Sequence, residues 1–168
     1  MNDEMRAILD AQRRILRYLR NAAATTHRSL GLSAAQLFVV RTLADATEPL
    51  SVNELADRTY TDQSTISVVA KTLEERGLVA RRRSAEDRRR VDLSVTLKGR
   101  ALLRRKLASP QHGLLDGVRR LSPGTRAGLA KFLPELLAAM GLDRAPAPMM
   151  FEDEGRASRP RSRRSRKQ

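Results

Sequence analysis

The 168-residue chain has no cysteine and no tryptophan, and only two tyrosines and three phenylalanines. Without cysteine there is no disulfide, no thiolate metal site and no thiol redox switch, so any sensing must use other chemistry. With aromatics at 3%, Leu, Ile, Val and Ala have to fill the core. No stretch approaches the ~18 apolar residues that mark a membrane span. The N-terminus also lacks the basic-then-apolar order of a signal peptide, so a cytoplasmic protein with no membrane partner is expected. His27 and His112 are the only histidines. Both fall near expected helix ends, where a surface or capping role is usual, and no metal site is expected. A strained Gly-x-Ser-x-Gly turn and a glycine-rich phosphate loop are both missing, which argues against an enzyme and against a cofactor.

What the chain has in excess is positive charge. It carries 33 Lys and Arg against 19 Asp and Glu, a formal net charge of +14. A surplus of that size favours a polyanionic partner, because neutralising phosphates releases condensed counterions. From Arg144 onward the composition shifts to Pro, Ser, Arg and Ala, with eight basic and three acidic residues. Residues 144–168 are therefore expected to form a disordered basic tail, although most of the surplus charge stays on the body.

The most informative stretch runs from Leu50 to Thr96. Ser51-Val52-Asn53-Glu54 has the serine and the glutamate of a capping box, with Leu50 and Leu55 placed like a hydrophobic staple around it. After the interruption at Arg58-Thr59-Tyr60-Thr61, Thr61 or Asp62 can cap a second helix. In that helix Ile66, Val69, Ala70 and Leu73 recur at helical spacing and should face the core. Gln63, Ser64, Thr65, Ser67, Val68 and Lys71 occupy the other face, which is small, mostly polar and nearly uncharged. Such a face can lie close to base edges in a major groove, whereas a merely solvated face would usually be laced with Glu and Lys. Gly77 is placed to end the helix. Leu78 to Arg83 and Val91 to Val95 then read as a hairpin whose connection, Ser84 to Arg90, is polar and strongly basic.

The run Asp87-Arg88-Arg89, an alternating strand and Thr96-Leu97-Lys98-Gly99 resembles the wing signature of the MarR family of winged helix-turn-helix transcriptional regulators. The resemblance extends from about Asp3 to Gly141. It implies a mainly α fold with a small two-stranded β-wing and a helical dimerisation region. It also implies a homodimer whose recognition helices address one palindromic operator in double-stranded DNA, as a repressor, with relief by a small aromatic ligand held between the long helices and the winged domain. The DNA-contacting residues would be Gln63, Ser64, Thr65, Ser67, Val68 and Lys71 of the recognition helix, with Arg81, Arg83, Asp87, Arg88 and Arg89 of the wing. Arginine at a hairpin tip suits a narrow minor groove, and Asp87 would orient a neighbouring arginine.

The remaining sequence frames that unit. Residues 1–30 read as one long helix, with Met5, Ile8, Leu9, Ile15, Leu16 and Leu19 at helical intervals and arginines between them. Residues 31–96 form the winged domain, opened by a Ser33–Gln36 capping box and a buried helix through Leu43. Residues 97–143 supply further dimerisation helices, with a break expected at Ser109-Pro110 and a bend or split at Pro134. Tyr18, Phe38 and Tyr60 read as core or interface rings. The alternative function from another class is a nucleoid-type or RNA-binding basic protein with no sequence choice.

Overall fold

Local capping sets most of the helix boundaries. The structure, a computed structural model, describes residues 2–84, 90–104, 109–144 and 149. Asp87, Arg88 and Arg89 of the expected wing lie outside the described residues, as does Leu107. The first helix, α1 (Asp3–Leu30), starts on the Asn2 side chain and ends at Gly31, whose left-handed backbone returns its N–H to the His27 carbonyl. In α2 (Ala34–Asp45) the capping box is present in both directions: Ser33 Oγ accepts from Gln36 N, and Gln36 Oε1 accepts from Ser33 N. Residues 34 to 40 of α2 are all buried, so this helix is the axis of the core.

Next come β1 (Leu50–Ser51), α3 (Val52–Thr59), α4 (Gln63–Glu75), β2 (Val79–Arg83), β3 (Val91–Val95) and α5 (Leu97–Leu103). The core joins α2 to the inner faces of α3 and α4 through Phe38, Val40, Leu43, Leu55, Ile66 and Leu73, and closes under the sheet with Leu78, Val79 and Leu93. Ile66, Val69, Ala70 and Leu73 are the buried residues of α4, as their spacing requires.

The mainly α architecture with a small sheet agrees with the sequence, but the sheet has three strands in the order β1-β3-β2, where two were expected. Leu50, read as a staple residue, pairs with Leu93, and Ser51 with Asp92. A two-residue strand has no periodicity of its own; only the exposed edge of β3 creates it. Val79↔Val95 through Arg83↔Val91 set the antiparallel register of the hairpin.

The remaining helices are α6 (Pro110–Arg120) and α7 (Pro123–Ala139). Pro110 begins α6 as its first residue, so the break expected there is present. Pro134 does not split α7, which continues through it as one helix of 17 residues. Because no residue of α7 is buried, the carbonyl that loses its partner at Pro134 faces water. Met149 is buried and belongs to the core cluster. A methionine side chain is large and apolar enough to pack there; the rest of the expected basic tail after Arg144 lies outside the described residues.

Candidate nucleic-acid interface

The first turn of α4 is built by Asp62. Its carboxylate accepts from Thr65 N at 2.9 Å, from Thr65 Oγ1 at 2.9 Å and from Ser64 Oγ. These hydrogen bonds, the Ser64 hydroxyl first among them, hold the Asp62 carboxyl well below the usual carboxylate range. The Ser64 and Thr65 hydroxyl protons are therefore committed to the cap, leaving those side chains as acceptors toward an outside partner.

Gln63, Ser67 and Lys71 succeed one another at four-residue spacing and form a single column along the helix. Gln63 and Lys71 are exposed and Ser67 is partly so. Val68 stands beside this column at 44% exposure. A groove of about 550 Å³ separates the column from the base of the wing, bounded by Ser51, Val52, Asn53, Gln63, Ser67, Arg81, Arg90 and Val91. The expected recognition face is thus brought together with Arg81. Arg83, at the end of β2, is exposed but does not line this groove.

Two ion pairs tie the wing to the helices. Arg81 Nε lies 3.4 Å from Glu74 Oε2 of α4. Arg90 reaches Glu54 Oε2 of α3 and Asp92 Oδ1 of β3, both at 2.8 Å. Glu54 is held below its ordinary carboxylate value, chiefly by the Ser51 hydroxyl and Ser51 N–H and then by Arg90. Sequence reasoning missed Arg90 and Asn53. Arg90 was read only as part of a basic connection, and its partner lies 36 positions away.

A second feature lies behind the recognition unit. Phe38, Thr42, Asp45, Arg58, Tyr60, His112, Leu115 and Arg119 enclose a cleft of about 300 Å³ between α2, the end of α3 and α6. Phe38 is buried as expected, whereas Tyr60 is 73% exposed and Tyr18 44% exposed. Tyr60 is not a core ring; it ends α3 with φ at 54°, donating its backbone N–H to Ala56 and Asp57 carbonyls. His112 is not a surface cap either. Its ring meets Phe38 edge-on at 4.6 Å between centroids, and its Nδ1 is buried without a hydrogen-bond partner. Burial, with help from Arg41, lowers the His112 pKa and favours the neutral ring. Among the described residues no group of His, Asp and Glu could hold a metal ion, and no helix is long and apolar enough to cross a membrane.

Residues 30–90 match the model of the MarR family. It is over this segment that the chain resembles the MarR family. It is 39% identical over 69 residues to the HTH-type transcriptional repressor MdtR of Bacillus subtilis, a match covering 41% of this chain and 44% of that one. It is 36% identical over 84 residues to the organic hydroperoxide resistance transcriptional regulator of the same species, covering 50% and 48%. The chain spans about half the length of these two relatives. Over more of its length it resembles the structure of Bordetella bronchiseptica BpsR, whose DNA binding is regulated by 6-hydroxynicotinic acid. That likeness has a TM-score of 0.53 and 27% identity, covering 76% of this chain and 90% of that one. The MarR segment ends in the wing, so α2, the helix-turn-helix and β2 all fall within it.

Proposed function

We propose that this chain is a MarR-type transcriptional regulator, acting in the cytoplasm as a repressor, that binds a palindromic operator in double-stranded DNA as a homodimer. The observation that carries this reading is the juxtaposition of the Gln63–Ser67–Lys71 column with the wing base across an open groove. Gln63 has the paired donor and acceptor that match adenine N6 and N7, Ser67 can serve either base edge, and the Val68 methyl groups suit the C5-methyl of thymine. Ser64 and Thr65 contribute as acceptors, with Lys71, Arg81 and Arg83 toward phosphates. By its resemblance to the family's wing motif, Asp87 orients Arg88 and Arg89 for the adjacent minor groove.

Dimerisation uses the apolar stripes of α1 and α7, where Ile8, Ile15, Leu16, Leu129, Leu133 and Leu136 are left exposed by the described residues. Relief by a small aromatic ligand belongs to the cleft behind α3. Its size is at the lower end for small-molecule sites, and Arg58 and Arg119 line it together with the Tyr60 and Phe38 rings. A ligand there would press on the helix that precedes the recognition helix.

The test is a titration against the DNA flanking the protein's own gene and against random DNA, each at two salt concentrations. A strong preference for the flanking DNA that persists as salt rises supports the regulator. Equal, steeply salt-sensitive binding to both places the protein instead with nucleoid-type or RNA-binding proteins, which the net charge of +14 would serve.

A further inference from the structure

We propose that Arg90 is a positioning residue for the wing, and that Glu54 and Asp92 withhold it from phosphate. The inference rests on the DNA-binding reading above and adds to it a residue outside the recognition helix and the wing tip.

Arg90 stands where the chain enters β3, and its backbone carbonyl accepts from Ser84 N at 2.9 Å, closing the hairpin across the root of the wing. Its guanidinium bridges two carboxylates at 2.8 Å, Nη2 to Glu54 and Nε to Asp92. Glu54 is itself immobilised, because the same Oε2 accepts from Ser51 N and Ser51 Oγ, both at 2.7 Å. Asp92 is the register partner of Ser51. One guanidinium therefore fastens the wing root to the capping box of α3 and to the short strand before it. The other wing strand, β2, is fastened independently to the recognition helix by Arg81 and Glu74. Each strand of the hairpin is thus pinned to a different helix of the helix-turn-helix, and these two pins set the angle between wing and recognition helix.

The charge count points the same way. Two carboxylates at 2.8 Å offset the charge of this guanidinium where it stands and weaken its attraction for phosphate. Its Nε–H and one Nη2–H are committed to these carboxylates in charge-assisted hydrogen bonds, so the guanidinium is held toward α3 and β3. It aims the wing at its groove and contributes to site preference without contributing to nonspecific affinity.

The test compares the wild type with Arg90→Ala, Glu54→Gln and the double variant. Each is titrated across a salt series on a duplex selected by the wild type from a random library and on an unselected duplex. Glu54→Gln retains a side-chain acceptor for the capping box while raising the net charge, which by bulk electrostatics alone should tighten binding. Both single variants are expected to weaken binding to the selected duplex about fivefold, the equivalent of losing partly exposed ion pairs. Binding to the unselected duplex should not weaken, the salt slope should stay the same, and circular dichroism should show the fold intact. The double variant should be no worse than either single one. A salt slope for Arg90→Ala shallower by about 0.9, with equal loss on both duplexes, would make Arg90 a phosphate ligand and overturn the proposal. Unchanged preference in both single variants would overturn it as well. If the wild type selects no sequence at all, the DNA-binding reading fails first and the proposal falls with it.

Discussion

Leu133→Glu should convert a dimer into a monomer without harming the protomer. In α7 Leu133 is 54% exposed, and Leu129, Phe132, Leu136, Leu137 and Met140 are exposed with it. Because none of the residues of α7 is buried, the substitution removes no core contact from an isolated chain. Fully burying a leucine is worth about 1.5–3 kcal/mol, so covering the exposed half of Leu133 contributes roughly 1 kcal/mol. In a twofold interface the loss counts twice, about 2 kcal/mol or roughly 30-fold in the dissociation constant, before any cost of desolvating two carboxylates. Equilibrium sedimentation over a dilution series from micromolar concentration reads the effect directly, with circular dichroism as the check on folding. The variant should also lose most of its operator affinity, since one protomer holds only one half-site. A wild type that sediments as a folded monomer at micromolar concentration, or a Leu133→Glu variant that associates like the wild type, would refute the assignment of α7 to the subunit interface.

Three further outcomes are expected. The Asp62 carboxyl is depressed in the folded state, so the stability it adds is complete above its unfolded value near 4 and is lost as pH falls toward the folded one; an acid titration followed by amide NMR should show the first turn of α4 loosening below about pH 4, and less so in Asp62→Asn. Gly99 is buried, and a Cβ there would collide with the Leu78 carbonyl oxygen and lie 2.7 Å from Val95 Cγ2; Gly99→Ala should cost about 1–3 kcal/mol, read as a lower melting temperature. Removing residues 156–167 should flatten the salt dependence of binding to all DNA alike while leaving the preferred site unchanged, because arginines in such a segment meet phosphates and not base edges; a lost preference with intact nonspecific binding would reverse that assignment.

The features legible in the sequence are those set by neighbours a few positions apart. The capping boxes at Ser33 and Ser51 and the helix end at Gly77 all involve partners within one helical turn. The buried face of α4 follows from its 3.6-residue period in the same way. What escaped the sequence depends on distant partners. Leu50–Ser51 becomes a strand only beside β3, and Arg90 acquires its role only from Glu54. At Tyr60 the left-handed conformation is uncommon for a residue other than glycine and had no local signal. Ser64 and Thr65 were legible as polar surface, but not as hydroxyls already donating to Asp62, since composition does not reveal which groups have satisfied one another.

The charges near the recognition helix follow a common pattern. The N-terminus of α4 would by itself attract any phosphate, through its open N–H groups and the helix dipole. Asp62 occupies that position with a full negative charge and takes up the Thr65 N–H. Arg81 and Arg90, the two cations lining the neighbouring groove, are each engaged by carboxylates. The groove beside the recognition helix thus has its two arginines paired, while further arginines lie along α1, elsewhere in the wing and in the sequence after residue 155. On the proposed reading, nonspecific attraction rests mainly on cations outside this groove and base discrimination on the polar side chains within it. The first holds the protein near any DNA, and the second acts only where Gln63 and Ser67 find matching base edges. A recognition face with free cations would bind random sequence as strongly as its own site; one with its charges already paired gains affinity mainly through hydrogen bonds and methyl contacts to the correct bases.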